Sequence, residues 1–117
     1  MSKILAPEDR KFLRHALKYF NVHLIKLDYS PSKKSYPDIW ISKNGKMPKI
    51  TVTREWMKQN LAERHKRLVH ELCHETGLEH SEEIGFNTIP AKDTFSKKVY
   101  ADIVNGGQKF SKGRFGL

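Results

Sequence analysis

The chain of 117 residues holds one cysteine, Cys73. An internal disulfide framework and a stapled secreted module are therefore excluded, and a lone thiol points to a reducing, cytoplasmic compartment. No uninterrupted apolar run approaches the roughly 18 residues that a membrane span needs. The N-terminus, Met1 to Asp9, turns acidic before any apolar stretch develops, which argues against a secretory signal. Acidic residues are also few: 13 Asp and Glu stand against 22 Lys and Arg, a formal charge of +9. The length allows one domain, spanning 1–117, with a modest core, and excludes a large multi-domain enzyme. No internal repeat, low-complexity segment or dividing linker is visible.

A charge of this size on a small domain is compatible with a nucleic-acid partner. The positive residues are nevertheless scattered, with short runs at Lys33-Lys34, at Lys97-Lys98 and at Lys109, Lys112 and Arg114. No recognised nucleic-acid motif accompanies them. A Lys-rich solvated surface is the simpler reading.

The pattern of elements is α+β. Residues 7–20 read as a helix, with Pro7 at an early helical position, Glu8 and Asp9 in the first turn, and an apolar stripe of Phe12, Leu13, Ala16, Leu17 and Phe20. Residues 22–29, 38–42 and 49–53 read as three strands, the last two joined through Asn44-Gly45, a hairpin signal. Asn60 with Glu63 three residues on marks a helix start, and Gly77 marks its stop. A last helix is expected from about Ala91 to Val104, followed by a Gly-bearing tail.

The chemistry is concentrated in residues 70–80, HELCHETGLEH. On a helix, residues four apart lie about 40° from each other and one turn along. His70 and His74 can therefore present their imidazoles to one tetrahedral metal. A left-handed Gly77 would end the helix and swing His80 back as third ligand. Three neutral imidazoles leave one position open for water, the pattern of a catalytic zinc site. Glu71, beside the first ligand, is placed to take a proton from the zinc-bound water and later to pass it to a departing amine. HExxH alone arises by chance in roughly 2% of shuffled chains of this composition, and the added Gly and His lower that below about 1 in 10,000. Leu61, Leu68 and Leu72 are expected on the face opposite the histidines, with Val69 and Cys73 flanking. Cys73, three residues after His70, reads as a small buried hydrophobe rather than a ligand. His15, His23 and His65 fit no ligand spacing. One of Glu79, Glu82, Glu83, Asp93 and Asp102 is a candidate partner for a metal-bound imidazole, and Tyr100 a candidate for stabilising an oxyanion.

HELCHETGLEH matches the long zinc signature of the metzincin peptidases. A metzincin, however, has a methionine turn downstream, and Met1, Met47 and Met57 all precede the motif. In size and layout the chain resembles the minigluzincins, minimal soluble zincin metallopeptidases related to HtpX-type catalytic domains, and it is also similar to SprT-like and WLM domains. The resemblance implies an N-terminal helix, a small sheet, an HExxH helix and a C-terminal helical segment. It assigns zinc to His70 and His74 and base catalysis to Glu71. Gluzincins take a glutamate from a later helix as third ligand, from which His80 departs. The resemblance further implies latency as a zymogen, blocked by the C-terminal segment. The tail 106–117, with Phe110, Phe115 and its glycines, is expected to lie extended in the substrate groove as an intramolecular inhibitor. A peptide or unfolded-protein substrate is expected along an edge strand, for which Lys49 to Thr53 is the candidate.

A different class shares the spacing. YbeY-type RNA-processing proteins carry His-x3-His-x5-His with a Gly between the last two, as do His70, His74, Gly77 and His80 here. Those proteins have a small residue where this chain has Glu71, an acid that would repel a phosphate backbone. A metal-dependent endoribonuclease and a non-catalytic zinc-binding domain are the alternatives to a metallopeptidase.

Overall fold

The first helix, α1 (Pro7–Tyr19), opens on a proline whose missing N–H is no loss at that position, with Glu8 and Asp9 at the positive end of the helix dipole. It buries Leu13, Ala16 and Tyr19 together with Asp9, an acid on the core face. The structure is a computed structural model and describes residues 5–23, 25–30, 38–44, 47–81, 88–90 and 94–116. The expected hairpin turn residues Gly45 and Lys46 lie outside that set.

Three strands follow: β1 (Lys26–Ser30), β2 (Ile39–Asn44) and β3 (Met47–Thr53). Their order in the sheet is β1-β3-β2, with β1 parallel and β2 antiparallel to β3. The strand containing Lys49 to Thr53 is therefore central, and the expectation that it forms the free edge is corrected. Its burial explains why: Ile50, Thr51, Val52 and Thr53 are all buried, as a strand covered on both faces requires. The edge beside the site is β2. Asp38 O accepts from Thr53 N–H, whereas Ile41 N–H donates to Glu71 on the opposite side. By the two-residue alternation of a strand, Ile39, Ile41 and Lys43 present their main-chain groups away from β3.

Thr53 caps the short helix α2 (Arg54–Met57), its side chain accepting from Trp56 N–H. The wholly buried Trp56 ring donates through Nε1 to the carbonyl of Arg64 and so docks α2 on the next helix. That helix, α3 (Leu61–Glu75), starts at Asn60, whose side chain accepts from Glu63 N–H at 2.9 Å, as the Asn60–Glu63 spacing predicts. Leu68, Val69, Leu72 and Cys73 are fully buried. Leu61 is 45% exposed, so the expected apolar face starts further along the helix. Two short strands, β4 (Glu79–Ser81) and β5 (Thr88–Pro90), pair in parallel, and α4 (Thr94–Val104) packs back on α3 through Phe95, Val99 and Ile103. The α+β class, the N-terminal helix, the three-stranded sheet, the motif helix and the C-terminal helix agree with the sequence reading.

The tail takes a different course from the expected extended strand. Among the described residues it ends in a 3-10 turn, Lys112–Phe115, and forms no strand. Phe110 N–H donates to the carbonyl of Tyr19. The Phe110 ring packs on Phe20 at 5.1 Å and Phe115 on Phe95 at 5.5 Å. Arg114 pairs with Asp102 at 2.8 Å, and the same carboxylate accepts from Tyr19 Oη at 2.6 Å. Burial and this acceptor both push the Tyr19 hydroxyl upward in pKa.

Candidate metal centre

The three motif histidines converge because of how α3 ends. Gly77, at φ 96°, sits just past the C-cap residue Thr76. Its N–H donates to the His74 carbonyl at 3.0 Å, and Leu78 N–H reaches back to the Cys73 carbonyl at 3.3 Å. This is the Schellman pattern, and Leu78 and Cys73, at the two positions it brings near each other, are both buried in the core. The turn reverses the chain into β4, where His80 is held in register opposite Ile89 of β5, a wholly buried side chain.

Ligand-capable atoms of His70, His74 and His80 all lie within 4.8 Å of one another. Nε2 of His70 is 2.7 Å from Nε2 of His80 and 3.1 Å from Nε2 of His74. The ring centroids form a nearly equilateral triangle with sides of 4.7, 4.8 and 4.8 Å. Tetrahedral bonds of 2.0–2.1 Å would set the nitrogens roughly 3.3 Å apart, so the His70–His80 pair would open by about 0.6 Å and the His70–His74 pair by about 0.2 Å. The donor set fits zinc in number and type.

The outer nitrogens are also engaged. Nδ1 of His74 lies 2.7 Å from the carbonyl oxygen of Leu78. A carbonyl only accepts, so Nδ1 carries the hydrogen and Nε2 turns its lone pair to the centre. Burial holds this imidazole below the ordinary 6.5, with the Leu78 carbonyl opposing and the other two histidines reinforcing the shift. Nδ1 of His70 lies 3.0 Å from Oγ of Ser96 on α4. Glu71, one residue on from His70, accepts the Ile41 N–H through Oε1 at 2.8 Å, which ties the carboxylate to the edge strand.

The remaining candidates fall elsewhere. Asp102 serves Tyr19 and Arg114. Tyr100 packs toward Phe12 at 5.8 Å between ring centres. Glu79 is exposed in β4, while Glu82, Glu83 and Asp93 lie outside the described residues. Cys73 belongs to the core and is not among the converging side chains. His65 is buried against Asp9, with Nε2 to Oδ1 at 2.8 Å, and stacks on Phe12. The side chain missed in the sequence is Ser96. Its signal was a small polar residue three before Val99 and seven before Ile103, on the buried stripe of a helix. Compared with known protein families, curated proteins and solved structures, the chain matches none.

Proposed function

We propose that the chain is a zinc-dependent metallopeptidase, with His70, His74 and His80 as zinc ligands and Glu71 as general base. The observation that carries the reading is the convergence of three imidazole nitrogens, two of them braced from behind at Nδ1, with the carboxylate next to His70 in the chain anchored on an edge strand. Zinc bound there would supply a Lewis acid for a carbonyl and a water acidic enough to ionise near neutral pH. Glu71 takes the proton of the attacking water and returns it to the leaving amine. The outward main-chain groups of Ile39 and Lys43 and the Ile41 carbonyl, on either side of the N–H that Glu71 takes, offer an extended peptide a pairing edge. Pairing of that kind reads main chain rather than side chains, so the substrate class is an unfolded or extended polypeptide. The resemblance to the minigluzincins is part of the same proposal, with His80 in place of a glutamate ligand.

The test is metal content together with hydrolysis of an unstructured protein by wild type and Glu71→Ala. About one zinc per chain in both, with hydrolysis lowered at least about 100-fold in the variant, is expected. Equal hydrolysis by the two removes the mechanism. Cleavage of RNA and not of protein assigns the site to the ribonuclease class instead.

A further inference from the structure

His70 is the hinge of the triangle, because its Nε2 is the atom that approaches both other histidines. Its orientation therefore decides whether the three lone pairs meet. His74 is braced by a carbonyl of its own helix end, and His80 by the pairing of β4 with β5. For His70 the brace comes from a different helix: Oγ of Ser96 stands 3.0 Å from Nδ1. Ser96 is fully buried, on the stripe that Phe95, Val99 and Ile103 press into the core. A hydroxyl at such a position costs stability unless it is paired, and alanine would complete the stripe without that cost. The hydroxyl of Ser96 has an aim, and the aim is the imidazole.

We infer that Ser96 is a positioning residue of the metal centre. When the Nε2 lone pair of His70 faces a metal, the ring hydrogen sits on Nδ1. Ser96 then accepts that hydrogen bond, fixes the tautomer and holds the ring plane toward His74 and His80. The inference rests on the metal reading above and extends it to a residue outside the motif. It also gives α4 a part in the site: the helix delivers a second hydrogen-bonding partner rather than a ligand.

The experiment is zinc affinity by competition with a chromophoric chelator, on the full chain, for wild type, Ser96→Ala and Tyr19→Phe. Loss of an outer partner of a metal-bound histidine lowers affinity by about 10–100-fold. We expect that loss in S96A, with the melting temperature of the metal-free protein within a few degrees of wild type. Y19F removes the hydrogen bond that Asp102 accepts from α1 on the same helix α4, and should bind zinc within about twofold of wild type. S96A binding as tightly as wild type overturns the role of the serine alone. Equal weakening in S96A and Y19F overturns it as well, by showing general loosening of α4. A wild type that binds no zinc overturns both this inference and the reading beneath it.

Discussion

Alanine at position 77 would carry its Cβ into open space, so its cost is conformational rather than steric. The backbone there has φ 96°, a region that costs an L-residue roughly 1–2 kcal/mol. Relief of that strain would move Leu78 and β4, and with them the carbonyl that holds His74 and the ring of His80. Gly77→Ala should therefore lower metal-free stability by about that amount in urea unfolding and weaken zinc binding at the same time. The motif made this residue legible, because helix stop and ligand spacing are both local in sequence. The pair formed by His65 and Asp9 was not legible. Its members are 56 positions apart, and one reads as an ordinary histidine, the other as a first-turn helix acid. Arg64 completes the cluster, with Nε at 3.1 Å from both Asp9 oxygens. Burial holds the His65 imidazole below the ordinary 6.5, with Asp9 opposing and Arg64 reinforcing the shift. The unfolded chain then binds the extra proton more readily, so this contribution to stability is present above about pH 6.5 and is lost as pH falls below it. Urea midpoints of the metal-free protein should drop between pH 7.5 and 5.5, and His65→Gln should flatten that drop. A drop of the same size in H65Q would place its origin in other groups. Asp9→Ala, which takes the acceptor from Arg64 Nε and His65 Nε2 but leaves Arg64 its bond to the Gln59 carbonyl, should cost about 2 kcal/mol.

At the scale of elements, the helices were readable from their ends: Pro7 and the acids after it for α1, Asn60 and Glu63 for α3, Gly77 for the stop. These signals act within one turn and survive any tertiary context. Sheet order is different in kind, because a strand's neighbours are set by chain reversals that no local pattern encodes. The hairpin of β2 and β3 was legible, but the addition of β1 to the far side of β3 was not, and it turned the supposed edge into the centre. The succession Ile50, Thr51, Val52, Thr53 held a usable clue, since β-branched residues on both faces suit a strand covered on both sides. The tail shows a similar override. Its glycines suggested an extended segment, yet Phe110 and Phe115 make it a docking piece for Tyr19, Phe20 and Phe95. Both rings are half-buried, and their loss should cost about 2–3 kcal/mol. Truncation after Asn105 should therefore lower the urea midpoint of the metal-free protein. An unchanged midpoint would mean that the aromatic contacts hold nothing together in solution.

For the whole molecule, the three histidines stand where elements that share the hydrophobic core come together. His70 and His74 belong to α3, and His80 to β4, which pairs with β5. Ser96 brings α4 to the same point. The three histidines were legible as a group because they fall within 11 residues of sequence, whereas the parts they join are revealed only by folding. A ligand that binds the folded chain alone stabilises it by RT ln(1 + [L]/Kd), about 4 kcal/mol at a thousand times Kd. For a domain of this size that corresponds to a rise in melting temperature of roughly 10–20 °C. Removal of zinc with a chelator should reverse the rise, and readdition of zinc should restore it. The loss should also be uneven. Ile50 and Leu68 are fully buried, so hydrogen exchange in β3 and the middle of α3 should change only with global stability. Protection around His80 and Ile89 depends on a three-residue ladder, and should fall first when the metal leaves. A chelated protein with unchanged melting and unchanged exchange at β4 and β5 would show that the histidines converge without a metal to hold.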